Sequence, residues 1–101
     1  MAKELEIEQK LTQLNCAIRS LSVISRTGRT KLTDSLTHKT LPEAEANRLL
    51  AVLAEMEELV RVSPIPVDWS RPEEVRTILD RRRDAIRILQ NEGLEEVTQW
   101  S

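Results

Sequence analysis

The chain has no phenylalanine and no tyrosine, and Trp69 and Trp100 are its only aromatic residues. Strand-rich proteins usually draw on aromatic side chains to cover a pleated surface. A core of Leu, Ile, Val and Ala instead suits packed helices. Glycine is equally scarce, with Gly28 and Gly93 alone. That excludes a glycine-rich phosphate loop and the many turns of an all-β fold. A single cysteine, Cys16, excludes an internal disulfide framework and a cysteine-based zinc site. His38 stands alone and cannot build a metal centre by itself. No run approaches the ~18–20 apolar residues of a membrane span, and the N-terminal residues carry no apolar signal core. The expected location is cytoplasmic, with no membrane contact and no cofactor.

What is present points to helices. The chain has 101 residues, 40% hydrophobic and 32% charged, with a formal net charge of -2. That size fits one domain, 1–101. The net charge gives no general pull toward nucleic acid. Ile7, Leu11, Leu14, Ile18 and Leu21 alternate spacings of four and three, a seam along one helix face. It predicts a helix over about residues 3 to 27. Leu32 and Leu36 resume the stripe weakly, in a Ser/Thr-crowded stretch that disfavours helix. The segment either continues to about residue 38 or breaks near Gly28; the composition favours a break and a short second helix.

Thr40-Leu41-Pro42-Glu43 and Ser70-Arg71-Pro72-Glu73 both read as capping boxes, a hydroxyl followed by a glutamate three residues on. They predict a helix over about 41 to 62, striped by Leu49, Leu53, Met56 and Val60, and a further helix from residue 70. Between them, residues 63–70 form a proline-containing extended connector. Ile65, Val67 and Trp69 alternate along it, so one side lies over the helices. Val75, Ile78, Leu79, Ala85, Ile86 and Leu89 form the last long stripe. Gly93 predicts a left-handed stop, and Leu94, Val97 and Trp100 share one face of a short tail helix. The expected fold is all-α. It has three main amphipathic helices, arranged as a helical hairpin with a third helix across it or as a three-helix bundle, plus a short C-terminal helix.

Arg82 is the odd residue of the last stripe, within about 60° of all its apolar members at ~100° per residue. A buried guanidinium must find an acceptor. Arg82 therefore either snorkels or pairs with a neighbouring glutamate, or it anchors a partner's carboxylate or phosphate. Arg81 and Arg83 widen that arc, and Asp80 and Asp84 partly neutralise it. Charge is also segregated. Residues 19–40 carry Arg19, Arg26, Arg29, Lys31 and Lys39 against Asp34 alone, whereas residues 41–68 carry six acids against Arg48 and Arg61. These faces attract one another, or the basic one meets an acidic protein surface or a phosphate backbone. Leu5, Cys16 and Val23 lie opposite the first seam. They are incidental, leaving Cys16 an exposed thiol, or they form a second contact face for a homodimer or a docking partner. Trp69 is a core lid or a binding anchor. No carboxylate pair or nucleophile shows the burial or partner that catalysis requires.

The expectation is a non-enzymatic helical protein that binds and modulates a larger protein. Its candidate contacts are Arg81, Arg82, Arg83, Trp69, Arg26, Arg29 and Lys31. Small inhibitors and adaptors of the phage and mobile-element type share this profile, and by that analogy alone the partner is a nucleic-acid enzyme. The alternative is a nucleic-acid-associated protein using the basic 19–40 segment and Arg81–Arg83.

Overall fold

A computed structural model describes residues 3–93, which are helical apart from short turns and one connector. Their elements are α1 (Lys3–Leu14), α2 (Ile18–Ile24), α3 (Arg29–His38), α4 (Glu43–Val62) and α5 (Pro72–Ile88), and α5 runs on into a wider π-type turn over Leu89–Gly93. The all-α expectation holds for the described residues. The expected first helix is two helices, because the chain turns at Asn15-Cys16-Ala17. The expected tail helix lies outside the described residues.

The first three helices end in the same way. Asn15, Arg26 and Lys39 take the left-handed conformation, with φ of 56°, 57° and 55°. The next residue in each case, Cys16, Thr27 or Thr40, donates its N–H to a carbonyl near the helix end. The acceptors are Leu11, Ser22 and Ser35, at 2.9, 2.9 and 3.0 Å. This is the Schellman closure, which satisfies carbonyls left over at a helix C-terminus. Asparagine tolerates that conformation, whereas arginine and lysine lose about 1–2 kcal/mol in it. The break expected near Gly28 is therefore present, but Arg26 is its pivot. Gly28 has an ordinary φ of -60° and starts α3.

Neither capping box forms. α4 follows Pro42 and α5 follows Arg71, with no side-chain cap bond at either start. In α5 proline takes the first helical position, which its fixed φ favours, so the cap falls on Arg71 and not on Ser70. The Ser70 hydroxyl and N–H both donate to Asp68 Oδ1, at 2.5 and 3.0 Å. The start of α4 is held from outside. The Leu41 N–H donates to the carboxylate of buried Glu4 in α1, at 3.2 Å.

α1 lies along α4, α2 packs against α3 and α5, and α5 makes a smaller contact with α4. Lys3 donates to Asn47 near one end of the α1–α4 pair and Lys10 to Glu57 further along, so these two helices run parallel. The core is almost wholly aliphatic. Ile7, Leu21, Leu32, Leu36, Leu49, Leu53 and Met56 are fully buried. The weak stripe of Leu32 and Leu36 is thus central, whereas Val60 is exposed although its neighbour Leu59 is buried. Ser20, Ser22 and Ser25 are buried too, and each hydroxyl donates to a backbone carbonyl. Small satisfied side chains let α2 pack closely on both faces.

The connector is non-helical, with bends at Pro64-Ile65 and a turn at Trp69-Ser70, and Val67 and Trp69 pack on the core while Ile65 is 71% exposed. Trp69 Nε1–H donates to the Leu14 carbonyl at 2.9 Å, and the Trp69 carbonyl accepts from Ser20 Oγ at 2.6 Å. Trp69 is therefore bonded to both sides of the α1–α2 turn.

The left-handed helix ends give a direct stability test. Lys39→Gly removes the steric cost at φ 55°. It should stabilise the fold by about 1 kcal/mol, seen as a higher urea midpoint at unchanged slope. A lower midpoint would contradict the assigned helix end.

Candidate functional site on the fifth helix

Only Val75 and Leu79 of α5 are buried. Beyond them the helix keeps its apolar pattern but loses its cover. Ile78, Ile86, Ile88 and Leu89 are 44%, 48%, 58% and 56% exposed. The sequence reading placed Ile78, Ile86 and Leu89 in a core stripe, and the structure leaves them at the surface. The reason is length. At 1.5 Å per residue, α2 offers roughly 10 Å of support to a helix roughly 25 Å long. Ile78, Arg82, Ile86 and Leu89 fall within about 80° of helix surface at ~100° per residue. They make one apolar strip with a guanidinium near its middle.

A groove of about 240 Å³ runs between α4 and α5, lined by Ala54, Glu55, Glu58, Leu79, Arg82, Arg83 and Ile86. Arg83 reaches across it, with Nη2 at 3.0 Å and Nε at 3.2 Å from the Glu55 carboxylate, and its Nη1 is 3.2 Å from Asp80. Asp80 also accepts from Arg26 Nη2 at 2.8 Å. The chain Arg26–Asp80–Arg83–Glu55 thus ties the turn after α2 to α5 and α4. Arg82 differs from Arg83. Its side chain is half-buried in the groove wall, and it makes no ion pair with any described residue. Glu58, across the groove, is engaged by Arg61. The hydrogen bonds from Arg61 hold the Glu58 carboxyl below its ordinary value, and the charge of Arg82 adds a smaller push.

The other expected contacts are dispersed. Arg81 is exposed on α5, and Arg29 and Lys31 are exposed on the first turn of α3. Arg26 and Arg83 are engaged by carboxylates within the fold. Trp69 is half-buried with its indole N–H used internally. The structure brings Arg82 and Arg83 together at the groove and leaves Arg29 and Lys31 on another helix. The sequence marked Arg82 as the odd member of the stripe but carried no sign of how much of the stripe around it is exposed.

Cys16 is buried, so the alternative that left it an exposed thiol does not hold. It borders an open concavity of about 570 Å³ with Glu8, Leu11, Thr12 and Ile18. Burial pushes its thiol up to about 11. Thr12 Oγ1 in that hollow donates to the Glu8 carbonyl. Among the described residues no cluster of His, Cys, Asp and Glu could hold a metal ion. No helix of the described residues is long and apolar enough to cross a membrane. Comparison with family models, curated proteins and solved structures finds no match for this chain.

The Cys16 thiol provides a check on this geometry. At pH 8 a thiol raised from 9.0 to about 11 carries roughly a hundredfold less thiolate. Labelling by a disulfide reagent should be slower than in urea by about that factor. Equal rates would place Cys16 at the surface.

Proposed function

We propose that this chain is a non-enzymatic helical protein that binds a larger partner protein through the outer face of α5 and modulates it. The exposed apolar strip carries this reading: Ile78, Ile86 and Leu89 share one face of one helix, and each is at least 44% exposed. Single exposed apolar residues are ordinary, whereas contiguous ones rimmed by charge mark docking surfaces. Arg81 and Arg83 supply that rim, exposed about 100° to either side of Arg82 on the same helix. Arginine and aliphatic side chains together also suit an interface centre depleted in other charges.

A nucleic-acid partner has weaker support. Of the basic residues expected to make that contact, Arg26 and Arg83 already pair with carboxylates, and Asp80 and Glu55 would face the phosphates beside them.

The test is a matched pair of baits in nuclease-treated lysate from the native context. Ile86→Ser with Leu89→Ser should leave the melting temperature within a few degrees, because both side chains are already half in water. The wild type should retain a protein in near-stoichiometric amount and the double variant should lose it. Retention of the same proteins by both baits would overturn the reading.

A further inference from the structure

We propose that the groove between α4 and α5 receives an acidic, apolar peptide segment of the partner, with a carboxylate seated on Arg82. This deepens, and rests on, the reading of α5 as a docking face. At about 240 Å³ the groove holds on the order of eight water volumes. That is below the ~300–1,000 Å³ of clefts that enclose small molecules. It suits one or two side chains laid in from a segment passing outside. Ala54, Leu79 and Ile86 supply apolar wall for an aliphatic neighbour of the incoming carboxylate.

The charges of the groove determine the sign of its ligand. Glu55 is taken by Arg83 and Glu58 by Arg61, while Arg87, one turn further along, is taken by Asp84. Arg82 makes no such pair among the described residues, and its stem is already packed. The unmet charge is therefore positive, on the side chain whose planar fork matches a carboxylate. A neutral or basic segment would cover this guanidinium and give it no acceptor. A phosphate backbone fits poorly, because its repeated charges would meet Glu55 and Glu58, which line the same groove. One carboxylate within an apolar segment satisfies both the wall and the charge.

Random displayed peptides selected against the full chain test this. The recovered sequences should be apolar with at least one Glu or Asp, and Ile86→Ser should abolish their binding. Changing that acid to its amide should weaken binding to the wild type about tenfold or more. On Arg82→Gln the acid and amide forms should bind alike, and Arg82→Lys should restore part of the difference. Peptides that need Ile86 but show no acid preference, or keep it on Arg82→Gln, would overturn the carboxylate proposal and leave the docking face standing. Recovery of no peptide sensitive to Ile86→Ser would overturn the docking face itself. Tenfold tighter binding after Glu95→Gln with Glu96→Gln would identify the chain's own acidic end as the occupant and also overturn the proposal.

Discussion

Trp69 donates its indole N–H to the Leu14 carbonyl and accepts from Ser20 at its own carbonyl, so it joins the end of α1 to the body of α2. The Leu14 carbonyl is one of the terminal groups that a helix leaves without an internal partner. Its bond to Trp69 brings the connector back across the α1–α2 turn and sets where α5 begins. The first turn of α5 then lies beside Arg19 and Val23 of α2. Beyond Asp80 the helix outruns the short α2, and its side-chain bonds to another helix run from Arg83 to Glu55 of α4. The exposed strip on α5 is thus a consequence of one anchored residue and a mismatch in helix length.

The electrostatic contacts secure this arrangement more than they stabilise it. Lys10–Glu57, Arg26–Asp80 and Arg83–Glu55 all join different helices, and all are partly in water. Such pairs contribute on the order of 0–1 kcal/mol each. Their effect is on register: Asp80, shared by Arg26 and Arg83, fixes how α5 sits over α2 and α4. The segregated charges do not pair with one another. Among the described residues, of the basic residues in 19–40 only Arg26 makes an ion pair, with Asp80, and the acids of α4 pair with Lys3, Lys10, Arg83 or arginines of their own helix. Arg48 folds back onto the Ser25 carbonyl and Thr27, at 2.6 Å each, so the acidic and basic segments meet at that turn. Within the groove Arg82 stands out because Arg83, Glu55 and Glu58 beside it are already paired.

The helical class and most of the core were legible from the 3.6-residue pattern. The helix ends were legible only in part. The capping-box signal lay in the right neighbourhood but in the wrong register, since Pro72 took the first helical position and Ser70 bonded to Asp68. The turn after Leu14 was missed because Ile18 and Leu21 continue the seam of Ile7 and Leu11 across it. Asn15, a residue tolerant of the left-handed conformation, was its one local sign. Arg26 and Lys39 gave no such sign, because neither favours that conformation and tertiary packing imposes it. For the candidate site, the Arg82 anomaly was visible. The exposure around it was not, because periodicity reports which face is apolar and not how far a neighbouring helix reaches.

The most direct test of the account is hydrogen exchange at the Trp69 indole N–H, followed by NMR in the full chain with Trp100→Phe to remove the second indole signal. If Trp69 anchors the connector to α1, this proton should exchange at least about a hundredfold more slowly than a free indole, in step with the backbone amides of α4. Exchange at the free-indole rate would show the Leu14 bond to be absent. The placement of α5, with the exposed strip and Arg82 groove that depend on it, would then lose its foundation.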